Sequence, residues 1–258
     1  MKGLFIRTIS GFSIVLLTIY AILSGGTFMS FFIFLLSIIG IREFYNALTN
    51  VKVYPIKPIG YLSCIGFLLN SLGYKWATIM FISFITLIGL LVVLITKKDT
   101  TLADIATTFF GIFYIPFLMQ HIIYLDDTIY VWLIFIIAWG TDTFAYISGS
   151  LFGKNKLCPK LSPNKTIEGS IGGIFGALML TLIFAKYFKL LPLWAFALLS
   201  FLGAIVAQMG DLMASKIKRM TGIKDYGFIM PGHGGILDRF DSIILTGPFV
   251  YYFVTYFL

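Results

Sequence analysis

Charged side chains are scarce in this 258-residue chain, where Asp, Glu, Lys and Arg make up 12% of the residues, against about 25% in soluble domains. Cysteine is almost absent, and the two residues present, Cys64 and Cys158, exclude a disulfide framework. Intrinsic disorder is also excluded, because it requires low hydrophobicity. Hydrophobic residues instead make up 59% of the chain, which is more than a water-soluble fold can accommodate. The composition therefore predicts a polytopic membrane protein.

Apolar runs between charged residues predict how often the chain crosses the membrane, since a spanning helix needs about 20 mostly apolar residues. The first run, Thr8 to Ile41, is too long for one helix, and Ser24-Gly25-Gly26 near its middle predicts a tight hairpin of two. With the runs that follow, we expect an all-α transmembrane bundle of about nine spans. The later runs are Pro58 to Tyr74, Trp76 to Thr96, Ile105 to Leu125, Thr128 to Gly153, Gly169 to Ala185, Leu190 to Gly210 and about Ile236 to Leu258.

The basic residues distinguish the two sides of the membrane, because cytoplasmic loops carry the excess of Lys and Arg. With nine spans, all 19 Lys and Arg fall on one side except Lys75, Lys186 and Lys189. This pattern predicts a cytoplasmic N-terminus and an outer C-terminus in the cell membrane. We interpret 1–130 as N-terminal transmembrane helices and 131–258 as a catalytic transmembrane region with cytoplasmic loops 153–169 and 211–236. Basic residues spread through such loops do not indicate nucleic-acid binding.

Four carboxylates lie within or at the ends of apolar runs, where an unpaired charge is costly and therefore indicates function. They are Asp142, Asp211, Asp238 and Asp241. If the eighth span continues as a helix into the cytoplasm, Asp211, Ser215, Lys218 and Gly222 share one face. Asp238 and Asp241 open the last span three residues apart and also share a face. Glu43, beside Arg42 at a span end, receives low weight.

Cations accompany the three carboxylates of the segment 208–241. They are Lys216, Lys218, Arg219, Lys224 and Arg239. Carboxylates in a small cluster suit Mg²⁺ or another divalent cation, which one or two of them hold together with substrate phosphates. The cations would neutralise further phosphate oxygens, and the N–H groups at the start of the last helix would offer another anion site. The alternative is that paired charges anchor helix ends at the interface. The pattern alone predicts metal-dependent phosphoryl or nucleotidyl transfer at a membrane surface.

A second polar segment, 153–169, lies on the same predicted side and contains four lysines, of which Lys165 is expected to contact phosphate. Ser162-Pro163 is typical of a helix N-cap followed by proline in the first turn, and Thr166 is an alternative cap. Asp142 either orients Lys165 or joins the metal site.

The run S-K-I-K-R-M-T-G-I-K-D-Y-G-F-I-M-P-G-H-G-G-I-L-D-R-F-D from Ser215 to Asp241 resembles the signature of phosphatidate cytidylyltransferases, also called CDP-diacylglycerol synthases. The upstream segments D-T-F-A-Y and L-S-P-N-K-T-I-E-G are similar to that family as well. The resemblance implies that CTP and phosphatidate give CDP-diacylglycerol and pyrophosphate, with a divalent cation, at the cytoplasmic face of a multi-span enzyme. By analogy with the family we also expect a homodimer among membrane lipids.

Given this chemistry, we assign Asp211 and Asp238 as metal ligands. Asp241 is either a third ligand or a residue that holds the other ligands in place. Whether the site binds one cation or two stays open. Lys218 is interpreted as catalytic together with these carboxylates. The predicted substrate-binding residues are Lys165, Thr166, Glu168, Asp142, Ser215, Arg219, Lys224, Asp225, His233 and Arg239. His233 either donates to a phosphate oxygen or holds its turn.

Two other functions stay open from the residues alone. A CTP-using lipid kinase would transfer the terminal phosphate to a lipid alcohol. An ion-coupled transporter is a further alternative, because intramembrane Asp and broken helices also mark ion pathways. A transporter would place its polar residues near mid-bilayer in two matching halves, whereas three of the four Asp lie in the last third of this chain.

Overall fold

The structure is a computed structural model that describes every residue except Met1, Pro231 and His233, and for residues 2–9 it describes the backbone alone. Within this part of the chain the fold is all-α apart from one short β-hairpin. The first half contains α1 (Lys2–Ser24), α2 (Gly26–Thr49), α3 (Lys57–Ser71), α4 (Ile79–Thr96), α5 (Leu102–Ile112), a π-helical segment (Phe113–Phe117) and α6 (Leu118–Ile123). The second half contains α7 (Val131–Phe152), β1 (Lys156–Cys158), β2 (Ser162–Thr166), α8 (Ile167–Tyr187), α9 (Leu193–Met220) and α10 (Leu237–Phe257).

Among the described residues, six helical segments are long and apolar enough to cross a membrane. They are Gly26–Thr49, Ile79–Thr96, Leu102–Ile123, Val131–Phe152, Ile167–Tyr187 and Leu193–Met220. The chain is therefore an integral membrane protein. Helix α3, with 15 residues, and the apolar part of α1, Ser10–Ser24, are shorter than these six. The predicted count of nine spans and the sidedness of the termini stay predictions.

The hairpin predicted within the first apolar run is confirmed. Helix α1 ends at Ser24 and α2 begins at Gly26, and Gly25 joins them with a φ of 58° that favours glycine. The N–H of Gly26 donates to Asp126 Oδ2 over 2.5 Å. Helix α2 then continues to Thr49, so that Arg42 and Glu43 lie inside it rather than at its end.

The described chain forms two compact units that do not follow chain order. The first unit comprises Met1–Asp127 and Met220–Arg239, and the second comprises Thr128–Arg219 and Phe240–Leu258. Helix α10 thus contributes its first three residues to one unit and the rest to the other. The functional division predicted at residue 130 stays a prediction.

The first unit packs closely around a tyrosine of α2. Tyr45 is fully buried, and its hydroxyl donates to the carbonyl of Thr108 on α5 over 2.8 Å. A Cβ added at Gly60 on α3 or at Gly111 on α5 would lie 2.6 Å from the Tyr45 ring. These two glycines therefore allow three helices to approach one another around a single side chain.

The second unit is organised by the close packing of α7 and α8. A Cβ added at Gly173 would lie 2.7 Å from the carbonyl oxygen of Thr141, and one added at Gly169 would lie 2.8 Å from that of Ala145. Small residues let helix backbones approach in this way within membranes. The packing fixes the hairpin β1–β2, which precedes α8, near the end of α7.

Candidate active site

Helix α9 carries the first predicted site residues and is longer than a simple span requires. Its 28 residues extend over about 42 Å at 1.5 Å per residue, against about 30 Å for the hydrocarbon core. The prediction that Asp211, Ser215 and Lys218 lie on one continuous helix is confirmed, and the Ser215 hydroxyl donates to Asp211 Oδ1 over 3.4 Å. Gly222 was wrongly placed on that helical face, because the helix ends at Met220 and Gly222 adopts a φ of 70°.

A glycine brings the carboxylates of α9 and α10 together in the second unit. A Cβ added at Gly210 would lie 2.5 Å from the backbone oxygen of Asp241 and 3.2 Å from the Cα of Ser242. The two backbones are therefore in direct contact beside Asp211. Asp241 is 8% exposed, and its carboxylate interacts electrostatically with Asp211, Asp142 and Lys218.

Ser242 joins two of these carboxylates and was not identified from the sequence. Its N–H donates to Asp241 Oδ1 over 2.8 Å, and its hydroxyl donates to Asp142 Oδ2 over 3.0 Å. The side chain is fully buried. Asp142, on α7, is thereby held beside Asp241, which places it with the carboxylate cluster.

Lys165 brings a cation to the same cluster. It lies on β2, and its ammonium group forms an ion pair and a hydrogen bond with Asp211 Oδ2. Each side chain of the pair is about one-quarter exposed, 27% for Lys165 and 24% for Asp211. Near the end of α9, Arg219 Nε donates to the carbonyl of Leu161 over 3.3 Å, which links that helix to the hairpin. The cation predicted to bind phosphate and a predicted metal ligand therefore lie side by side.

Two predicted substrate-binding residues have structural contacts at the start of α8. Thr166 is the N-cap, since its hydroxyl accepts the N–H of Gly169 over 3.1 Å. The alternative cap, Ser162, is wrong, because Ser162 is the first residue of β2 and pairs with Cys158. Glu168 accepts the N–H groups of Lys154 and Asn155 at 3.1 and 3.2 Å. Contact of Thr166 and Glu168 with substrate stays a prediction.

The first unit holds Asp238 in a different setting. Its Oδ2 accepts the N–H of Tyr226 over 2.7 Å and that of Gly235 over 2.9 Å. Glu43 on α2 accepts the N–H groups of Ile236 and Leu237, at 3.1 and 2.9 Å. The anion site expected at these N–H groups of the last helix is therefore taken by a carboxylate of the chain itself.

The remaining predicted residues of the signature segment lie in the first unit. Lys224, Asp225 and Arg239 are exposed. A Cβ added at Gly234 would lie 3.3 Å from the Cβ of Asp225, so this aspartate flanks the turn that Asp238 binds. His233 lies outside the described residues. The roles of these residues toward substrate stay predictions.

The carboxylate oxygens of the second unit match the ligands that a divalent cation prefers. In the described part of the chain, no three His, Cys, Asp or Glu side chains form a group that could hold a metal by themselves. Asp211 and Asp241 nevertheless supply the oxygen ligands that Mg²⁺ prefers, and Mg²⁺ usually completes its shell with water and substrate phosphates. Two carboxylates that repel each other fit a cation of this kind.

The sequence is similar to known proteins of one enzyme family. A model of the cytidylyltransferase family matches residues 5–257. The chain belongs to this family. Similar proteins include the phosphatidate cytidylyltransferase of Staphylococcus haemolyticus, 35% identical over 250 residues, and those of Staphylococcus epidermidis, 34% over 250, and Staphylococcus aureus, 31% over 252. Each alignment covers 94% of this chain and 96% of the relative. As a cytidylyltransferase, the chain is a nucleotidyl-transferring enzyme.

Proposed function

We propose that this cytidylyltransferase transfers CMP from CTP to phosphatidate, giving CDP-diacylglycerol and pyrophosphate, in phospholipid biosynthesis. The observation that carries the proposal is the Lys165–Asp211 ion pair beside the buried Asp241, which interacts with Asp211, Asp142 and Lys218. This arrangement offers both cations and carboxylates to a polyphosphate. The names of the similar proteins support phosphatidate as the acceptor.

The reaction needs no covalent enzyme intermediate, because phosphatidate already carries anionic oxygens. A lipid phosphate oxygen attacks the α-phosphorus of CTP in line, the bond to the bridging oxygen breaks, and pyrophosphate leaves. Lys165 and Lys218 bind the phosphate oxygens and stabilise their charge, which is the main contribution of protein to such transfers. Asp211 and Asp241 are the proposed ligands of a divalent cation, which when bound neutralises phosphate charge. The assignment of Asp238 as a metal ligand stays a prediction.

The proposal includes a nine-span topology, with the active site on the cytoplasmic side and a homodimer as the assembly. Helices cover each of the eight apolar runs, with two helices in the first, and the lysine and arginine distribution supports this sidedness. Cys158 is partly exposed and Cys64 is buried. An impermeant thiol reagent should therefore reach Cys158 only after the inner face of the membrane is opened, and labelling from outside would invert the topology.

The test of the function is to follow the phosphate labels. Purified protein receives phosphatidate, Mg²⁺ and CTP labelled at either the α or the γ position. We expect α label in the lipid product and γ label in pyrophosphate, and excess pyrophosphate should release CTP from CDP-diacylglycerol. A CTP-dependent lipid kinase would instead send γ label to the lipid and leave α label in CDP.

The control for this assay is Asp211→Asn, which keeps the shape of the side chain and loses its charge. It should transfer neither label. If γ label enters the lipid, or if neither label does so with the wild-type protein, the assignment is rejected.

A further inference from the structure

Glu43 is a buried carboxylate that the proposed chemistry does not use. It lies on α2, is 4% exposed, and binds backbone almost two hundred residues later in the chain. Its Oε1 accepts the N–H of Ile236 and its Oε2 accepts that of Leu237. Both acceptor oxygens are thus directed to the start of α10, immediately before Asp238.

The turn before α10 is built around this carboxylate. A Cβ added at Gly227 or at Gly235 would lie 2.5 Å from Glu43 Oε1. Carbon and oxygen atoms cannot approach so closely, so any larger residue at either position would displace the carboxylate or the turn. The two glycines of the signature segment therefore leave the space that Glu43 fills.

Asp238 binds the same turn as well. Its Oδ2 accepts the N–H groups of Tyr226 and Gly235, and Glu43 accepts those of the next two residues. Glu43 and Asp238 also interact electrostatically, as like charges. Four backbone N–H groups between Tyr226 and Leu237 thus converge on two neighbouring carboxylates.

A helix start is usually capped by a residue that is close to it in the chain. Asp238, in the first turn of α10, accepts the N–H of Gly235, two residues before the helix, whereas the N–H of Leu237 in the helix itself binds the distant Glu43. A second carboxylate, buried beside the first and brought from a distant apolar helix, adds desolvation and like-charge repulsion. Such an arrangement is expected where the direction of one side chain must be fixed.

We propose that Glu43 is a positioning residue that fixes the backbone of residues 235–237 at the start of α10 and thereby the direction in which Asp238 meets a divalent cation. The inference rests on the proposed function only in its assignment of Asp238 as a metal ligand. Loss of Glu43 should release the N–H groups of Ile236 and Leu237 and let Asp238 adopt several orientations. Cation binding should then weaken, although Asp238 itself is unchanged.

The test compares Glu43→Gln with a matched control, Asp104→Asn. The introduced glutamine would keep the size of the side chain but replace one acceptor oxygen with a donor, so that it no longer offers a separate oxygen to each N–H group. Asp104 is also buried in the first unit and accepts backbone N–H groups from Tyr54 and Thr101, at 2.5 and 2.8 Å. Both variants therefore remove a buried carboxylate that binds backbone, but only Glu43 binds backbone of the signature segment.

Two readouts on purified, metal-free protein distinguish positioning from stability. Hydrogen exchange followed by mass spectrometry reports peptides that cover 226–240, and electron paramagnetic resonance reports Mn²⁺ binding. In Glu43→Gln we expect exchange in those peptides to rise at least about tenfold and Mn²⁺ affinity to fall at least about tenfold. Asp104→Asn should change neither, although its thermal stability falls. Glu43→Asp, which keeps the charge on a shorter arm, should give intermediate values.

Two results would overturn the proposal. Unchanged hydrogen exchange in Glu43→Gln would show that Glu43 does not hold the turn. Faster exchange with unchanged Mn²⁺ affinity would show that Glu43 holds the turn without positioning a metal ligand. Neither readout needs CTP or lipid. Failure of the wild-type protein to transfer label would therefore reject the proposed function, whereas hydrogen exchange and Mn²⁺ binding would still test the role of Glu43.

Discussion

The buried carboxylates of the two units differ in what their oxygens contact. In the first unit, Glu43 accepts two backbone N–H groups from a distant segment, and Asp104 accepts one from Tyr54 and one from the N-cap of its own helix, Thr101. In the second unit, Asp241 interacts with two other aspartates and with Lys218. Backbone N–H groups satisfy the hydrogen-bonding capacity of a carboxylate and hold it in a fixed place. Carboxylates held close together repel each other, and a bound cation relieves this repulsion. From this contrast we propose that Glu43 and Asp104 maintain architecture and that the carboxylates around Asp241 perform the chemistry.

The largest expected effect comes from removing charge from the carboxylates around Asp241. Asp211→Asn and Asp241→Asn should each lower turnover about 1,000-fold or more, which is about 4 kcal/mol in the barrier, because Asn keeps the shape without the charge that binds a cation. Asp104→Asn should stay within about fivefold of wild type per folded molecule. Steady-state assays on purified variants, with circular dichroism to confirm folding, make the comparison. If Asp104→Asn were as inactive as the other two, the contrast between the units would be lost.

A smaller effect is expected for the cations that accompany the carboxylates. Lys165→Ala and Lys218→Ala should raise the KM for CTP roughly 30- to 100-fold, since each removes a charge-assisted contact to phosphate worth about 2–3 kcal/mol. Lys186→Ala and Lys189→Ala are the controls, because these exposed lysines are predicted to lie on the side of the membrane opposite the proposed site. Initial rates at varied CTP measure the effect. Equal changes in all four variants would mean that the basic residues act through general attraction to lipid.

The contact between α9 and α10, which brings Asp211 and Asp241 together, can be tested by adding one methyl group. Gly210→Ala should lower the free energy of unfolding by roughly 2 kcal/mol, because the new Cβ meets the backbone of α10 and overpacking has this cost. Gly89→Ala is the control, since its Cβ would meet the side chain of Ile59 at an ordinary distance of 3.5 Å. Unfolding in detergent by denaturant provides the comparison. A Gly210→Ala protein as stable as Gly89→Ala would show that the two backbones do not touch.

The smallest effect is expected at the serine that links Asp142 to Asp241. Ser242→Ala removes the hydrogen bond to Asp142, worth about 1 kcal/mol, and should lower kcat about fivefold. Ser200→Ala is the matched control: the Ser200 hydroxyl is buried, and among the described residues it has no partner. Losing it should leave kcat unchanged and stability equal or slightly higher. Equal kcat values for the two variants would remove Ser242 from the cluster.

The positions of the helices were largely predictable, because the length of an apolar run sets the length of a membrane helix. The break at Gly25 was predicted from the glycine pair. The four-and-three spacing of Asp211, Ser215 and Lys218 predicted a shared face if the helix continued past Asp211, and α9 does continue. The hairpin β1–β2 was not, since strands of three and five residues are too short to show alternation.

Glu43 was missed because a charge beside Arg42 at the end of an apolar run is typical of interfacial anchoring. The helical period contained a better signal. Residues 29, 33, 36 and 40 precede position 43 at steps of three and four, and all of them are buried on α2. Ser242 offered no comparable signal, because its role depends on the approach of α7, α9 and α10, which residue spacing does not specify.

The central claim is that the carboxylates of the second unit bind the divalent cation that accompanies CTP. The most direct test is calorimetric titration of CTP into purified protein with and without Mg²⁺, in the absence of lipid so that no reaction occurs. Mg²⁺ should strengthen CTP binding to wild type and to Asp104→Asn, and this gain should disappear in Asp241→Asn. An Asp241→Asn protein that keeps the full gain from Mg²⁺ would contradict the account.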